Sequence, residues 1–199
     1  MPFTAYRQTQ VKNLEWTGHP GWKREGATEG WAPGGRLMNW VPEAQPGQWA
    51  LELGCSKGWD TARLVEKGYR VVGLDLFPEV LRQAVDARPY RLAADMHEIP
   101  VRDRSITLIY ADNVLEHSDD IRIALAEIHA VLQPGGRLYG MVPERAKRSS
   151  EAHLWEVERA DQLPALFETM CPRLRMQRFE VFPIADGPQC LFVLKKEHR

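Results

Sequence analysis

A glycine-bearing turn between an apolar strand and a helix constrains the fold of this chain more than any other segment. Residues 50–60 read Ala-Leu-Glu-Leu-Gly-Cys-Ser-Lys-Gly-Trp-Asp, and Asp75 ends the next apolar run. In a nucleotide-binding βαβ unit, glycines let the backbone approach a ligand and a distant carboxylate accepts hydrogen bonds from ribose hydroxyls. The pattern therefore predicts a βαβ unit with a nucleotide at the end of its first strand.

The turn departs from the dinucleotide fingerprint G-x-G-x-x-G at two positions. Ser56 stands where the second glycine would let a pyrophosphate press against the backbone, and Trp59 replaces the third glycine. The expected ligand therefore has a ribose but no pyrophosphate.

Strands and helices alternate along the rest of the chain. Strands are predicted at about 48–53, 71–75, 90–95, 105–110, 137–142, 173–181 and 189–194, and helices at about 60–67, 78–86, 121–132 and 161–170. Alternation of this kind predicts an α/β fold with a doubly wound, mostly parallel, seven-stranded sheet of the Rossmann-like type. The last two strands have no helix between them and are expected to form an antiparallel C-terminal hairpin.

The first 45 residues differ in composition from the domain that follows at 46–199. They contain Trp16, Trp22, Trp31 and Trp40 but show no sustained period of 2 or 3.6. We expect an N-terminal arm with one short helix near Gly35 to Trp40. Its tryptophans either fill the core or form a lid over the site.

Four ordered pieces of sequence together resemble the class I S-adenosylmethionine-dependent methyltransferases, in their small-molecule, methyltransferase type 11-like branch. They are Glu52 to Gly58, Leu74-Asp75, Ala94-Asp95-Met96, and Asp112-Asn113-Val114-Leu115-Glu116-His117 followed by Leu-Gln-Pro-Gly-Gly at 132–136. The last piece is similar to the V-L-E-H and L-x-P-G-G signature of that branch. Each piece alone is weak, but their order and spacing are specific.

The resemblance implies that S-adenosyl-L-methionine is the cofactor. It places the ribose at Asp75 and the adenine beside Asp95 and Met96. The full set of expected cofactor-binding residues is Glu52, Gly54, Cys55, Ser56, Gly58, Asp75, Leu76, Asp95, Met96 and Asn113.

Two histidines are candidates for the methyl-acceptor side. His117 lies just past the fourth strand, where open α/β sheets bind ligands, and His153 follows the fifth strand. His117 could act as a general base, because an imidazole titrates near neutral pH, or could simply be hydrogen-bonded to the backbone. His153 is similar to a substrate-side histidine that some members of the resembling branch carry before their last helix, which implies that it lines the acceptor pocket. His97 is expected to be only a loop neighbour. The sulfonium group activates the methyl group, so no metal is expected.

Composition limits the partners. The chain has 199 residues and a formal charge of -1, which gives no general field for nucleic acid. The basic residues Arg145, Lys147 and Arg148 are interpreted as a solvated loop. Neither a membrane-spanning run nor a secretion signal is seen, and Cys55, Cys171 and Cys190 have no metal-ligand spacing. We expect a cytoplasmic protein with unpaired thiols and a small-molecule acceptor, with no nucleic acid or membrane partner; the oligomeric state is left open.

Three other functions remain as alternatives. An NAD(P)-binding oxidoreductase is disfavoured by Ser56 and Trp59. A nucleic-acid methyltransferase acting on exocyclic amines usually carries a D/N-P-P-Y/F motif, where this chain reads Asp-Asn-Val-Leu at 112–115. A non-catalytic S-adenosylmethionine-binding protein has the same motifs as an enzyme and stays open.

Overall fold

The computed structural model describes residues 32–144, 153–183 and 187–198. In chain order its elements are α1 (Ala32–Trp40), β1 (Trp49–Leu53), α2 (Trp59–Glu66), β2 (Arg70–Asp75), α3 (Pro78–Leu81), β3 (Tyr90–Ala93), β4 (Ile106–Asp112), α4 (Ile121–Val131), β5 (Leu132–Pro143), α5 (Leu163–Met170), β6 (Leu174–Phe182) and β7 (Gln189–Lys196). Short 3₁₀ turns at Leu115–His117 and Ala160–Gln162 precede α4 and α5.

The strands form one seven-stranded sheet in the order β3-β2-β1-β4-β5-β7-β6. Neighbouring strands from β3 to β5 are parallel, whereas β7 is antiparallel to both β5 and β6. This confirms the predicted fold class and the antiparallel C-terminal pair. The strand order reverses between β1 and β4, and in open α/β sheets such a switch point opens a crevice at the carboxyl ends of the strands.

Both faces of the sheet are covered. Successive side chains of a strand point to opposite faces, so Ile109 packs in the core that includes α4, whereas Tyr110 packs in the core that includes α1. Leu37 and Met38 of α1 are fully buried in that second core. The part of the arm that the structure describes is therefore core packing on one face of the sheet.

Most arm predictions fall on residues outside the described ranges. Trp16, Trp22 and Trp31 lie there, as does the basic segment with Arg145, Lys147 and Arg148. Trp40 is described, and its ring lies 3.8 Å from the guanidinium carbon of Arg178. The division of the chain into an arm and a domain stays a prediction.

The helix predicted over 78–86 begins at Pro78 as expected, but its predicted length is wrong, because α3 ends after a single turn. The amide of Val85 donates to the carbonyl oxygen of Lys57 at 2.9 Å, which pulls the chain onto the glycine turn. The carboxylate of Asp86 accepts from the backbone and guanidinium of Arg88. Such local side-chain bonds to the backbone compete with helix continuation.

The predicted start of the fifth strand at residue 137 is also wrong, because β5 begins directly after α4. Ile106 pairs with Leu132 and Leu108 pairs with Arg137, so residues 133–136 bulge between two pairings. The predicted Pro-Gly-Gly turn thus exists as an interruption inside the strand.

Gly140 of β5 allows Phe192 of β7 to pack directly against the backbone. A Cβ at position 140 would lie 2.2 Å from Cζ of Phe192, whose ring is fully buried and has its centroid 4.7 Å from that of the tilted Phe167 ring. We expect Gly140→Ala to lower the free energy of unfolding by about 1–3 kcal/mol through overpacking, measured by urea denaturation. Gly35→Ala is the control, because a Cβ there meets nothing within 4 Å. Equal stability of the two variants would contradict this packing.

Candidate functional site

The turn after β1 has a backbone that favours glycine at three positions. The φ angles of Gly54, Ser56 and Gly58 are 63°, 48° and 81°. A Cβ at Gly54 would lie 2.5 Å from Cγ2 of Val114, in the loop after β4. Glycine is therefore required at position 54 by both conformation and space.

The amide groups of this turn are used within the protein. The amide of Cys55 donates to the carbonyl oxygen of Leu74 at 3.0 Å, and that of Gly58 donates to the carbonyl oxygen of Cys55 at 2.7 Å. The amide of Ser56 donates to Oδ2 of Asp75 at 2.8 Å. A pyrophosphate would need such amides free, so this turn is not built as a pyrophosphate cradle.

Asp75 ends β2 and faces the turn. Its Oδ1 accepts from the amide of Phe77 at 3.0 Å, and its side chain is largely buried. Burial raises the pKa of Asp75, although hydrogen bonds from the amides of Phe77, Ser56 and Leu76 stabilise the ionised form and oppose the shift. A carboxylate has about four acceptor positions, so it can still accept ribose hydroxyls.

Glu52 and Cys55 support the turn from within the fold. The hydroxyl of Thr61 in α2 donates to Glu52, and both side chains are buried. The Cys55 sulfur leaves no room for a Cβ at Gly73, which would lie 2.8 Å away. Burial, together with the charges of Glu52 and Asp75, raises the pKa of Cys55, so its thiol stays neutral. Direct cofactor contacts of Glu52 and Cys55 stay a prediction.

The loop after β3 is joined to the loop after β4 through His97. Oδ1 of Asp95 lies 2.5 Å from Nδ1 of His97, and Nε2 of His97 lies 2.7 Å from Oγ of Ser118 and 3.2 Å from Oδ1 of Asp119. Met96 between them is buried in the core. His97 therefore connects the two loops, whereas the sequence predicted a mere neighbour.

His97 makes stability depend on pH. Burial lowers the pKa of His97, but the hydrogen bond to Asp95 and the charges of Asp95, Asp119 and Asp120 outweigh burial, so the pKa is raised. A raised pKa contributes stability that is complete below the unfolded value of about 6.5 and is lost as the pH rises through the folded value.

We therefore expect the free energy of unfolding of the wild type to fall, relative to that of His97→Gln, as the pH rises from about 6.5. Urea denaturation at a series of pH values measures this difference. If the free energy of unfolding of the two proteins changed with pH in parallel, His97 would not be the source of the pH dependence.

The end of β4 adopts a constrained conformation. Asn113 has a φ of 49°, its amide donates to the carbonyl oxygen of Met141 at 3.0 Å, and its Nδ2 donates to Oδ1 of Asp112 at 3.0 Å. Asparagine tolerates this left-handed backbone better than most residues. The conformation directs the chain so that Val114 packs against Gly54.

Beyond Val114, three ligand-type side chains converge. One carboxylate oxygen of Glu116 and one ring nitrogen each of His117 and His153 lie within 4.8 Å of one another. The two imidazole centroids are 5.1 Å apart, with ring planes at 64°. The structure therefore brings together the two histidines that the sequence predicted separately, and adds Glu116.

In this acidic and imidazole cluster (Glu116, His117 and His153), Glu116 is buried and the two histidines are partly buried. Burial raises the pKa of Glu116 to about 8, and the charge of Asp112 adds to the shift. Burial lowers the pKa of His153, although the charge of Glu156 opposes this. The cluster can therefore hold or accept a proton near neutral pH.

Sequence reasoning missed Glu116. Its available signal was its position directly before His117 and just beyond a buried strand, where two adjacent ligand-type residues face the edge of the sheet.

Comparison with known proteins finds a family model that matches the central part of the chain. The family model described as "Methyltransferase domain" matches residues 51–140, which include the turn, Asp75 and the loop after β4. The malonyl-[acyl-carrier protein] O-methyltransferase of Hamiltonella defensa is 36% identical over 90 residues, which cover 44% of this chain and 35% of that protein. This match spans a little under half of the chain, and it supports the predicted class I S-adenosylmethionine-dependent methyltransferase domain and, with it, S-adenosylmethionine as the cofactor.

The matches to curated relatives cover only part of each protein. An uncharacterized 37.1 kDa protein from a Streptomyces fradiae transposon is 39% identical over 127 residues, which cover 59% of this chain and 36% of that protein. The chain thus matches about a third of the length of these relatives.

Solved structures show the same fold. The 1,6-didemethyltoxoflavin-N1-methyltransferase of Burkholderia thailandensis, solved with 1,6-didemethyltoxoflavin and S-adenosylhomocysteine, has a TM-score of 0.72 at 23% identity, covering 98% of this chain and 90% of that one. The [4+2]-cyclase SpnF has a TM-score of 0.68 at 15% identity, covering 82% and 80%. The fold of this domain therefore accommodates more than one reaction.

Two further features of the described residues bear on the sequence analysis, the state of the cysteines and the length of the helices. Cys55, Cys171 and Cys190 are unpaired, as expected. Within the described part of the chain, every helix is too short or too polar to traverse a lipid bilayer.

Proposed function

We propose that this chain transfers the methyl group of S-adenosylmethionine to a small-molecule acceptor bound beside the acidic and imidazole cluster. The observation that carries the proposal is the continuity of the two sites. Val114 packs against Gly54 of the cofactor turn, and its carbonyl oxygen accepts from the amide of His117 at 3.1 Å. A cofactor over the turn and an acceptor at the cluster would therefore be neighbours.

Methyl transfer requires mainly that the protein position the methyl donor and the acceptor. The sulfonium supplies an activated methyl group, so the protein has to align donor and acceptor and exclude water. Asp75 would hold the ribose, and the buried Met96 would offer an apolar surface to the adenine. His117 and His153 would meet the acceptor. Their individual roles rest on this placement.

The acceptor class follows from the same cluster. The relatives named above include an O-methyltransferase and an N-methyltransferase. A buried carboxylate beside two imidazoles suits an acceptor with a proton to lose, such as a hydroxyl, a phenol or an acid. We therefore favour O-methylation of a small polar metabolite.

A non-catalytic binder or a cyclase is the second candidate, because the fold also occurs in a [4+2]-cyclase. An NAD(P)-dependent oxidoreductase is disfavoured, since the amide of Ser56 is occupied by Asp75. The buried Glu116 at the edge of the sheet favours an enzyme over a binder, because burying a carboxyl group is costly without a chemical use.

Incubation with S-adenosylmethionine labelled in the methyl group tests the proposal. The acceptor panel should contain phenols, hydroxy acids, carboxylic acids, a malonyl thioester and ring-nitrogen heterocycles. We expect label to appear in at least one oxygen acceptor, and Asp75→Ala to transfer it more slowly than the wild type at an S-adenosylmethionine concentration that does not saturate the variant. Tight S-adenosylhomocysteine binding with no transfer to any class of acceptor would favour the non-catalytic alternative.

A further inference from the structure

We propose that Glu116, His117 and His153 form a binding site for a divalent transition-metal ion such as Zn²⁺. Two imidazole nitrogens and one carboxylate oxygen are a ligand set that suits zinc, iron and related ions. Metal binding at this cluster does not depend on the proposed methyl transfer. The role given to the ion below does rest on it.

The spacing fits one ion. Atoms bound tetrahedrally to the same zinc at about 2.0–2.2 Å lie about 3.3–3.6 Å apart. The three ligand atoms lie within 4.8 Å of one another, so side-chain rotations that shorten the longest contact by up to about 1.5 Å bring all of them into range. The crossed imidazole planes, at 64°, let both rings point a nitrogen toward a common centre.

Glu116 supplies an independent reason to expect a ligand. Its side chain is only 3% exposed, and its Oε2 has no hydrogen-bond partner among the residues that the structure describes. A buried carboxylate oxygen without a partner is costly, and such atoms usually indicate an unseen water or ion. A cation at the cluster would provide that partner.

The backbone holds the three ligands together. The amides of Leu154 and Trp155 both donate to the carbonyl oxygen of Glu116, at 2.8 and 3.1 Å. These bonds fix the segment that carries His153 against the 3₁₀ turn that carries Glu116 and His117. A site is preorganised when its ligands are held on such fixed segments.

An ion with three protein ligands keeps a position open for substrate. We infer that this position takes the oxygen of a hydroxyl or phenol acceptor, whose pKa the ion lowers. The acceptor proton passes to solvent, and the oxygen attacks the methyl carbon. The electrons of the breaking carbon–sulfur bond stay on sulfur, which leaves as the thioether. This departs from the sequence-based expectation that no metal is needed.

Cobalt titration tests the site. The full chain, without a histidine tag, is stripped with EDTA and titrated with Co²⁺, followed by visible absorption, and then with Zn²⁺ in competition. We expect one equivalent to bind, and Glu116→Gln and His153→Ala each to weaken binding by about 100-fold or more, since even outer-shell changes cost about 10–100-fold. His129→Ala in the last turn of α4 is the matched control and should bind as the wild type does.

A second measurement needs no variant. Of the six histidines, two should show shifted Cε1 proton resonances at one equivalent of Zn²⁺. Absence of cobalt binding by the wild type, equal affinity in the Glu116 and His153 variants, or unshifted histidine resonances would overturn the proposal.

The two proposals fail in different ways. S-adenosylhomocysteine binding by each variant checks its fold. Metal binding without methyl transfer to any acceptor would contradict the proposed function alone. Methyl transfer that is unaffected by EDTA would contradict the role of the ion, and would leave the methyltransferase in place.

Discussion

The variant Asp75→Ala is expected to bind S-adenosylhomocysteine about 10 to 150 times more weakly than the wild type. Hydrogen bonds to a charged group contribute about 1.5–3 kcal/mol, which converts to that range in the dissociation constant. Asp75 also accepts from the amides of Ser56 and Phe77, so part of the loss would come from a loosened turn. Titration calorimetry gives the dissociation constant directly.

Glu79→Ala is the matched control for this prediction. Glu79 is an exposed carboxylate in the first turn of α3, close in sequence to Asp75. Its removal should leave the affinity within a factor of two. An unchanged affinity in Asp75→Ala, in a protein that still unfolds cooperatively, would place the ribose site elsewhere.

The variant His117→Ala is expected to lower kcat by about 10²- to 10⁴-fold once an acceptor is known. A positioned proton-transfer group contributes about that much, and loss of a metal ligand is expected to cost at least as much. Affinity for S-adenosylhomocysteine should change by less than about 3-fold, because the imidazole lies on the acceptor side of Val114. Single-turnover methyl transfer separates this effect from slow product release.

His129→Ala again serves as the control for turnover. Burial lowers the pKa of His129, and the charges of Lys196 and Arg173 lower it further. A drop in turnover shared by both variants would indicate a general loss of structure. A loss of cofactor affinity in His117→Ala equal to the loss of turnover would assign the imidazole to the cofactor site.

Most helices and strands could be predicted because the residues that define their periodicity and their ends are close together in the sequence. Gly68, just beyond the end of α2, has a φ of 90°, a conformation that glycine adopts easily. Asp120, the N-cap of α4, accepts from the amide of Arg122 at 3.0 Å. Hydrophobic periodicity and helix-capping residues depend only on residues close together in the chain, so they can be recognised in a single sequence.

The errors arose where distant residues decide the structure. The length of α3 depends on the hydrogen bond between Val85 and Lys57, and the sequence around residue 85 gives no indication of that bond. The start of β5 depends on the pairing of Leu132 with Ile106 across the sheet. Both are tertiary contacts that override local propensity.

The candidate site was predicted in pieces for the same reason. His117 and His153 could be singled out as imidazoles beyond two strands. Their meeting, however, depends on the hydrogen bonds that join Leu154 and Trp155 to Glu116. The link through His97 likewise needs the loops after β3 and β4 to lie side by side, which only the folded sheet provides.

The central claim is that the turn after β1 and Asp75 form an S-adenosylmethionine site. Titration calorimetry of the wild type with S-adenosylmethionine, S-adenosylhomocysteine and NADH tests it most directly. We predict one binding site for each of the two sulfur ligands and no detectable heat from NADH, because the amides of Cys55, Ser56 and Gly58 are already bonded within the protein. Binding of NADH more tightly than of either sulfur ligand would contradict the account.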